Sequence, residues 1–155
     1  MVKGSAKKVL VSACLTGEPC RYDGTASSCA GIAELAKIAE LVLACPEVAG
    51  GLPVPREPCE IREGRVVSRS GADMTGAYQR GADEAVRWAR ESGCRFALLK
   101  EKSPSCGFGA VYDGTFSGAL VAGDGFAAAA LAKADIEVFG ESQIEVLCER
   151  LSSLD

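Results

Sequence analysis

FALLKEKSPSCGFG, residues 96–109, changes character abruptly. Phe96 to Leu99 is apolar throughout, as a strand covered on both faces of a sheet must be. It runs straight into Lys100-Glu101-Lys102 and then a loop of small residues, Ser103-Pro104-Ser105-Cys106-Gly107. A cysteine kept for packing belongs inside an apolar run. Cys106 stands instead between a serine and a glycine, where its sulfur can be reached. Two other predicted buried strands have the same ending. Lys8 to Ala13 (KVLVSA) leads to Cys14, and Leu41 to Ala44 leads to Cys45-Pro46-Glu47.

Working outward, the apolar spacing predicts a helix over Ile32 to about Ile38, with Ile32, Leu35, Ala36 and Ala39 on one face. Thr75 is read as the cap of a long helix reaching about Glu91 and stopped by Gly93. Its buried stripe contains Tyr78, Ala82, Ala85 and Ala89. Asp124 is read as the cap of a helix to about Lys133, and residues 141–153 as a terminal helix. Ile61 to Ser68 reads as a hairpin turning at Glu63-Gly64. Ser117 to Val121 and Ile136 to Phe139 complete the expected core strands. Strands alternating with helices predict a single α/β domain: a mostly parallel open sheet with helices on both faces, a Rossmann-like three-layer arrangement. Residues 8–155 are expected to form it. Residues 1–7 are read as a disordered basic tail, not a signal peptide, and a cytoplasmic location is expected.

The chain has eight cysteines and no histidine. Without histidine, Ser-His-Asp and Cys-His catalysis are excluded, as are Cys/His zinc fingers. Acid–base work falls to Asp, Glu, Lys, Tyr or a thiol. With no secretory signal read, the cysteines are expected as reduced thiols or metal ligands, not as a disulfide framework. A net charge of −4 argues against nucleic acid as the main partner. No apolar run is long enough to cross a membrane.

In an open parallel sheet, ligands bind at the carboxyl ends of the strands. If the three strands are neighbours, Cys14, Cys45 and Cys106 converge there. Paired C-x2-C spacing, the mark of structural zinc, is missing. Three dispersed thiolates suit an iron–sulfur cubane with one iron open. Zinc on the same three cysteines, in a structural or redox-sensing protein, is the alternative. Three buried thiols with no metal is another, and a thiol oxidoreductase is weakened by the lack of C-x-x-C. Cys20, Cys29, Cys94 and Cys148 read as ordinary thiols. Cys59 reads as a spare thiol or a competitor for a ligand position. Gly123-Asp124-Gly125-Phe126-Ala127-Ala128 fits G-x-G-x-x-A, but so near the C-terminus it reads as a tight strand-to-helix turn.

The segments VSACLTGEPCRYDG, CPEVAGGLPVPREP, LLKEKSPSCG, YDGTFSG and GDGFAAAAL, in this order, resemble the domain-of-unknown-function family 523, which includes thiouracil desulfidases. The match covers about residues 8 to 140. The resemblance implies a 4Fe–4S cluster held by Cys14, Cys45 and Cys106, and non-redox removal of sulfur from a thiolated pyrimidine, giving uracil and sulfide. It implies Glu47 as the acid–base residue and Ser103 as an assisting hydroxyl. Arg21, Tyr22 and Asp23 are candidates for binding the pyrimidine edge, although an Asp-Gly turn with a solvated arginine accounts for them too. Arg56 is a candidate for a ring carbonyl or for a carboxylate of the fold. The expected partner is a small thiolated nucleobase; the oligomeric state stays open.

Overall fold

The computed structural model describes residues 7–154. Most of the expected tail, residues 1–6, therefore lies outside the described residues. Numbered along the chain, the strands are β1 (Lys8–Ser12), β2 (Glu40–Ala44), β3 (Cys59–Arg62), β4 (Arg65–Ser68), β5 (Phe96–Leu99), β6 (Ala110–Tyr112), β7 (Leu120–Ala122) and β8 (Glu137–Gly140). The helices are α1 (Ile32–Ile38), α2 (Pro46–Ala49), α3 (Thr75–Ser92), α4 (Phe126–Lys133) and α5 (Ile144–Ser152).

The core is a parallel sheet in the order β2-β1-β5-β8. Its strands show why an uninterrupted apolar run was needed. Side chains alternate across a strand. Val9, Val11, Phe96 and Leu98 face one buried cluster, completed by Leu35 of α1 and by Ile144, Leu147 and Leu151 of α5. Leu10, Ala97 and Leu99 face another, with Ala82, Ala85 and Ala89 of α3 and Ala127, Ala128 and Leu131 of α4. The sheet is thus covered on both faces, as the alternation of strands and helices predicts.

Several local expectations are corrected. The strand expected over Ser117–Val121 is β7, Leu120–Ala122. It folds back on β6 as an antiparallel hairpin outside the core sheet and is exposed along its whole length. Thr75 does not cap α3. Its hydroxyl donates to Asp73 Oδ1 at 2.6 Å and accepts the Val66 N–H at 3.0 Å, so it ties the helix start to β4. Asp73 also takes the Thr75 N–H at 3.0 Å, the stronger acceptor winning the turn. Asp124 does not cap α4 either: it accepts the Gly109 N–H at 2.8 Å, and Gly125 occupies the cap position. The hairpin turns as expected, with Glu63 and Gly64 both at positive φ, 52° and 80°.

Two close backbone contacts place the site. A Cβ on Gly81 would lie 2.0 Å from the Pro46 carbonyl oxygen, and one on Gly50 would lie 2.1 Å from the Ala77 carbonyl oxygen. Glycine is therefore what lets α2 lie directly on α3. On the other side, the 104–107 loop wraps the start of α4. The Phe126 and Ala127 N–H groups donate to the Pro104 and Ser105 carbonyls, each at 2.8 Å. Gly125 completes this contact, since a Cβ there would meet Ser105 at 2.5 Å. The G-x-G-x-x-A stretch thus serves a tight approach of loop to helix.

Candidate active site

The chain reverses its direction across the sheet between β1 and β5, and ligands bind at the carboxyl ends of strands at such a point. Cys14 lies there in a 3-10 turn, Ala13–Thr16, that follows β1 directly. Cys45 follows β2 directly and stands at the N-cap of α2, with Glu47 in the first turn. Cys106 lies in the loop after β5. Its position is set by Ser103, whose Oγ accepts the Cys106 N–H at 2.7 Å and the Ser105 N–H at 3.3 Å.

All three cysteines line one cavity of about 430 Å³. That falls within the roughly 300–1,000 Å³ of small-molecule sites. Glu47, Ser103, Arg21, Tyr22 and Arg56 line it as well. Asp23 does not. Its Oδ1 accepts the Thr25 N–H at 3.0 Å and the Thr25 hydroxyl at 2.5 Å, so it closes an exposed turn. Those two bonds hold its carboxyl below the usual range.

Arg56 is committed to the fold. Nε donates to Glu47 Oε1 at 2.8 Å, Nη1 to the Pro53 carbonyl at 2.9 Å, and Nη2 to the Cys20 carbonyl at 2.9 Å. Its own N–H donates to the Tyr22 carbonyl at 2.7 Å. One side chain therefore joins the loop after β1 to the loop after β2. The Arg56 and Glu47 side chains are only 6% and 12% exposed, so the pair exchanges little of its charge with solvent.

The thiols influence one another. Burial pushes Cys14 up to about 11, with the charge of Cys45 adding to it. Burial pushes Cys106 up to about 12; a Ser12 hydrogen bond opposes this, while Cys45, Glu47 and Cys14 add to it. Cys20 is pushed up to about 12, first by burial and then by Cys45. It lines the same cavity, and its carbonyl accepts the Cys45 thiol at 3.8 Å. Packing patterns gave no sign of this. The recurrence of a cysteine six positions after Cys14 in a polar loop is the signal that was there. Cys59, read as a spare thiol or a competitor for a ligand position, lies in the cavity wall beside Tyr78, whereas Cys29 and Cys148 pack around α1 and α5. At the exit of β5, Lys100 pairs with Glu141 at 3.0 Å, and Glu101 accepts the Ser142 N–H at 3.2 Å.

A thiol must lose its proton to bind a metal, so a cation held by these cysteines would bind them as thiolates. Among the described residues, no three His, Cys, Asp or Glu side chains crowd together closely enough to hold a single metal ion. Cys14, Cys45 and Cys106 come from separate elements around one cavity, and the corners of a multi-iron centre bind separate thiolates.

Fold and site define an α/β protein with a pocket of thiols and carboxylates at the carboxyl end of a parallel sheet. The model of the 2-thiouracil desulfurase family matches residues 9–143, and the chain belongs to that enzyme family. It is similar to a solved 4Fe–4S-dependent thiouracil desulfidase, TudS, with 45% identity over 96% of this chain and 99% of that one, at a TM-score of 0.89. It is also 40% identical to the uncharacterized protein YbbK of Bacillus subtilis (strain 168), over 88% of this chain and 97% of that one. No helix among the described residues is long and apolar enough to cross a membrane.

Proposed function

We propose that this protein removes sulfur from a thiolated pyrimidine of the 2-thiouracil type, with a 4Fe–4S cluster held by Cys14, Cys45 and Cys106. The observation that carries this reading is the common cavity lined by those three thiols and Glu47 in a chain with 45% identity to TudS. When bound, such a cluster supplies a Lewis-acidic iron with an affinity for soft sulfur. The protein's own groups do the rest. The cavity holds the planar ring. Glu47, with one oxygen fixed by Arg56, uses the other to take a proton from the water that attacks the thiocarbonyl carbon. Ser103 holds the Cys106 loop and keeps its hydroxyl beside the reacting carbon. The carbon–sulfur bond breaks as the carbon–oxygen bond forms, and the sulfur leaves as sulfide with the protons of that water. No electron changes hands.

The test begins with anaerobic reconstitution. About four irons per chain and a brown protein are expected, with stoichiometric sulfide released from 2-thiouracil. Glu47→Gln should keep its iron and lose turnover by roughly 10²–10⁴-fold. Cys45→Ser should lose both. A colourless protein carrying zinc, or a Glu47→Gln variant with full turnover, would overturn the reading.

A further inference from the structure

The β6–β7 connection holds an aromatic residue in an unfavourable backbone state. Phe116 has a φ of 58°, in the left-handed region that bulky L residues avoid. Glycines stand nearby at 114 and 118, so the turn has flexible positions available, yet a phenylalanine occupies this one. The surrounding structure imposes the conformation. Glu60 of β3 is buried, and its Oε1 accepts the Gly114 and Phe116 N–H groups, each at 3.0 Å. Arg62, on the same strand, donates through Nε to the Gly114 carbonyl at 3.1 Å. A buried carboxylate and a guanidinium thus grip a turn with no catalytic group of its own.

The ring is not there for the core. Phe116 belongs to none of the three buried apolar clusters. It lines the cavity, with the Arg69 guanidinium 5.7 Å from its ring centroid and lining the cavity too. Strain that persists in a turn held from outside marks a position the surroundings over-determine, and such positions cluster at ligand sites.

We propose that Phe116 is a stacking surface for the planar ring of the substrate and a specificity-determining residue of this pocket. Glu60 is the positioning residue that holds it there. The inference rests on the pyrimidine reading above. It requires that the pocket prefer a flat, unsaturated ring to a puckered one of the same outline.

The experiment uses cluster-loaded protein and equilibrium calorimetry with uracil and 5,6-dihydrouracil, alongside melting temperatures, for wild type and for Phe116→Leu, Phe116→Tyr and Phe116→Gly. Wild type should bind uracil more tightly than dihydrouracil. Phe116→Leu should lose roughly 5–150-fold in uracil affinity, the range found for base–aromatic stacking, and should no longer distinguish the two ligands. Phe116→Tyr should retain both affinity and preference. Phe116→Gly should lose affinity like the leucine variant but melt no lower than it, because glycine accepts the positive φ. A leucine variant that melts lower yet holds uracil and its preference within roughly twofold would make Phe116 a structural residue and leave the desulfidase reading standing. A wild-type protein that binds neither ligand would overturn both.

Discussion

The two faces of the sheet are built from different materials. One is filled by Leu35, Ile144, Leu147 and Leu151 from α1 and α5. The other is lined largely by alanine from α3 and α4, and α3 meets α2 through glycine contacts that would not admit a methyl group. Bulky residues keep helices at a distance and gain stability by burial, whereas small ones let backbones touch. The cavity groups Cys45 and Glu47 depend on the small-residue face, because α2 is seated on α3. Interlocked volume supplies stability on one side, and close approach supplies position on the other.

The comparison can be broken by substitutions on each side. Arg56→Met carries the largest expected effect. It leaves Glu47 buried without its partner and should cost about 3–5 kcal/mol in stability, and turnover should fall because the carboxylate is no longer held. Arg56→Lys should restore the charge but not the three-way bonding, and so recover stability more than turnover. Denaturant melts together with turnover per folded molecule decide this. Leu147→Ala, on the bulky face, should cost about 2–5 kcal/mol and leave turnover per folded molecule unchanged. A catalytic loss there would mean that the two faces are not separable. Gly81→Ala should cost about 1–3 kcal/mol from overpacking, more than the roughly 1 kcal/mol that alanine gains over glycine in a helix, since the obstacle is the Pro46 backbone. Here turnover should fall along with stability. If Gly81→Ala is stabilising and fully active, the close α2–α3 contact does not position the site.

The smallest effect lies away from both faces. Hydrogen bonds from Thr75 and Arg65 hold the Asp73 carboxyl down at about 2. A carboxylate depressed in the folded state adds stability above its unfolded value near 3.8, and that contribution fades as pH falls towards 2. Asp73→Asn should therefore lower stability slightly at neutral pH, because the Arg65–Asp73 pair is exposed and contributes little, and the difference from wild type should close as pH falls from about 4 to about 2. Acid titration of the melting temperature is the measurement.

Much of the scaffold was legible because it is local. Apolar runs, helical spacing, Glu63-Gly64 and Gly93 each report on their own few residues, and the strands bearing Cys14, Cys45 and Cys106 followed from them. Where the reading went astray, two acceptors or two strands competed for one role. Asp73 outcompeted Thr75 at the start of α3, and β7 folded back on its antiparallel neighbour β6 instead of joining the parallel sheet.

The sequence by itself determined the α/β scaffold, the exclusion of histidine chemistry, and the placing of a cysteine at the end of each of three strands, since local period and residue type carry that information. Only the tertiary structure decided that Cys20 and Cys59 share the cavity with them, that Arg56 grips Glu47, that Asp23 stays outside, and that Phe116 faces the pocket. Those relations depend on strand order and on which loops close over one another. Residues far apart in the chain settle that through packing, and a linear pattern offers candidates for such contacts without choosing among them.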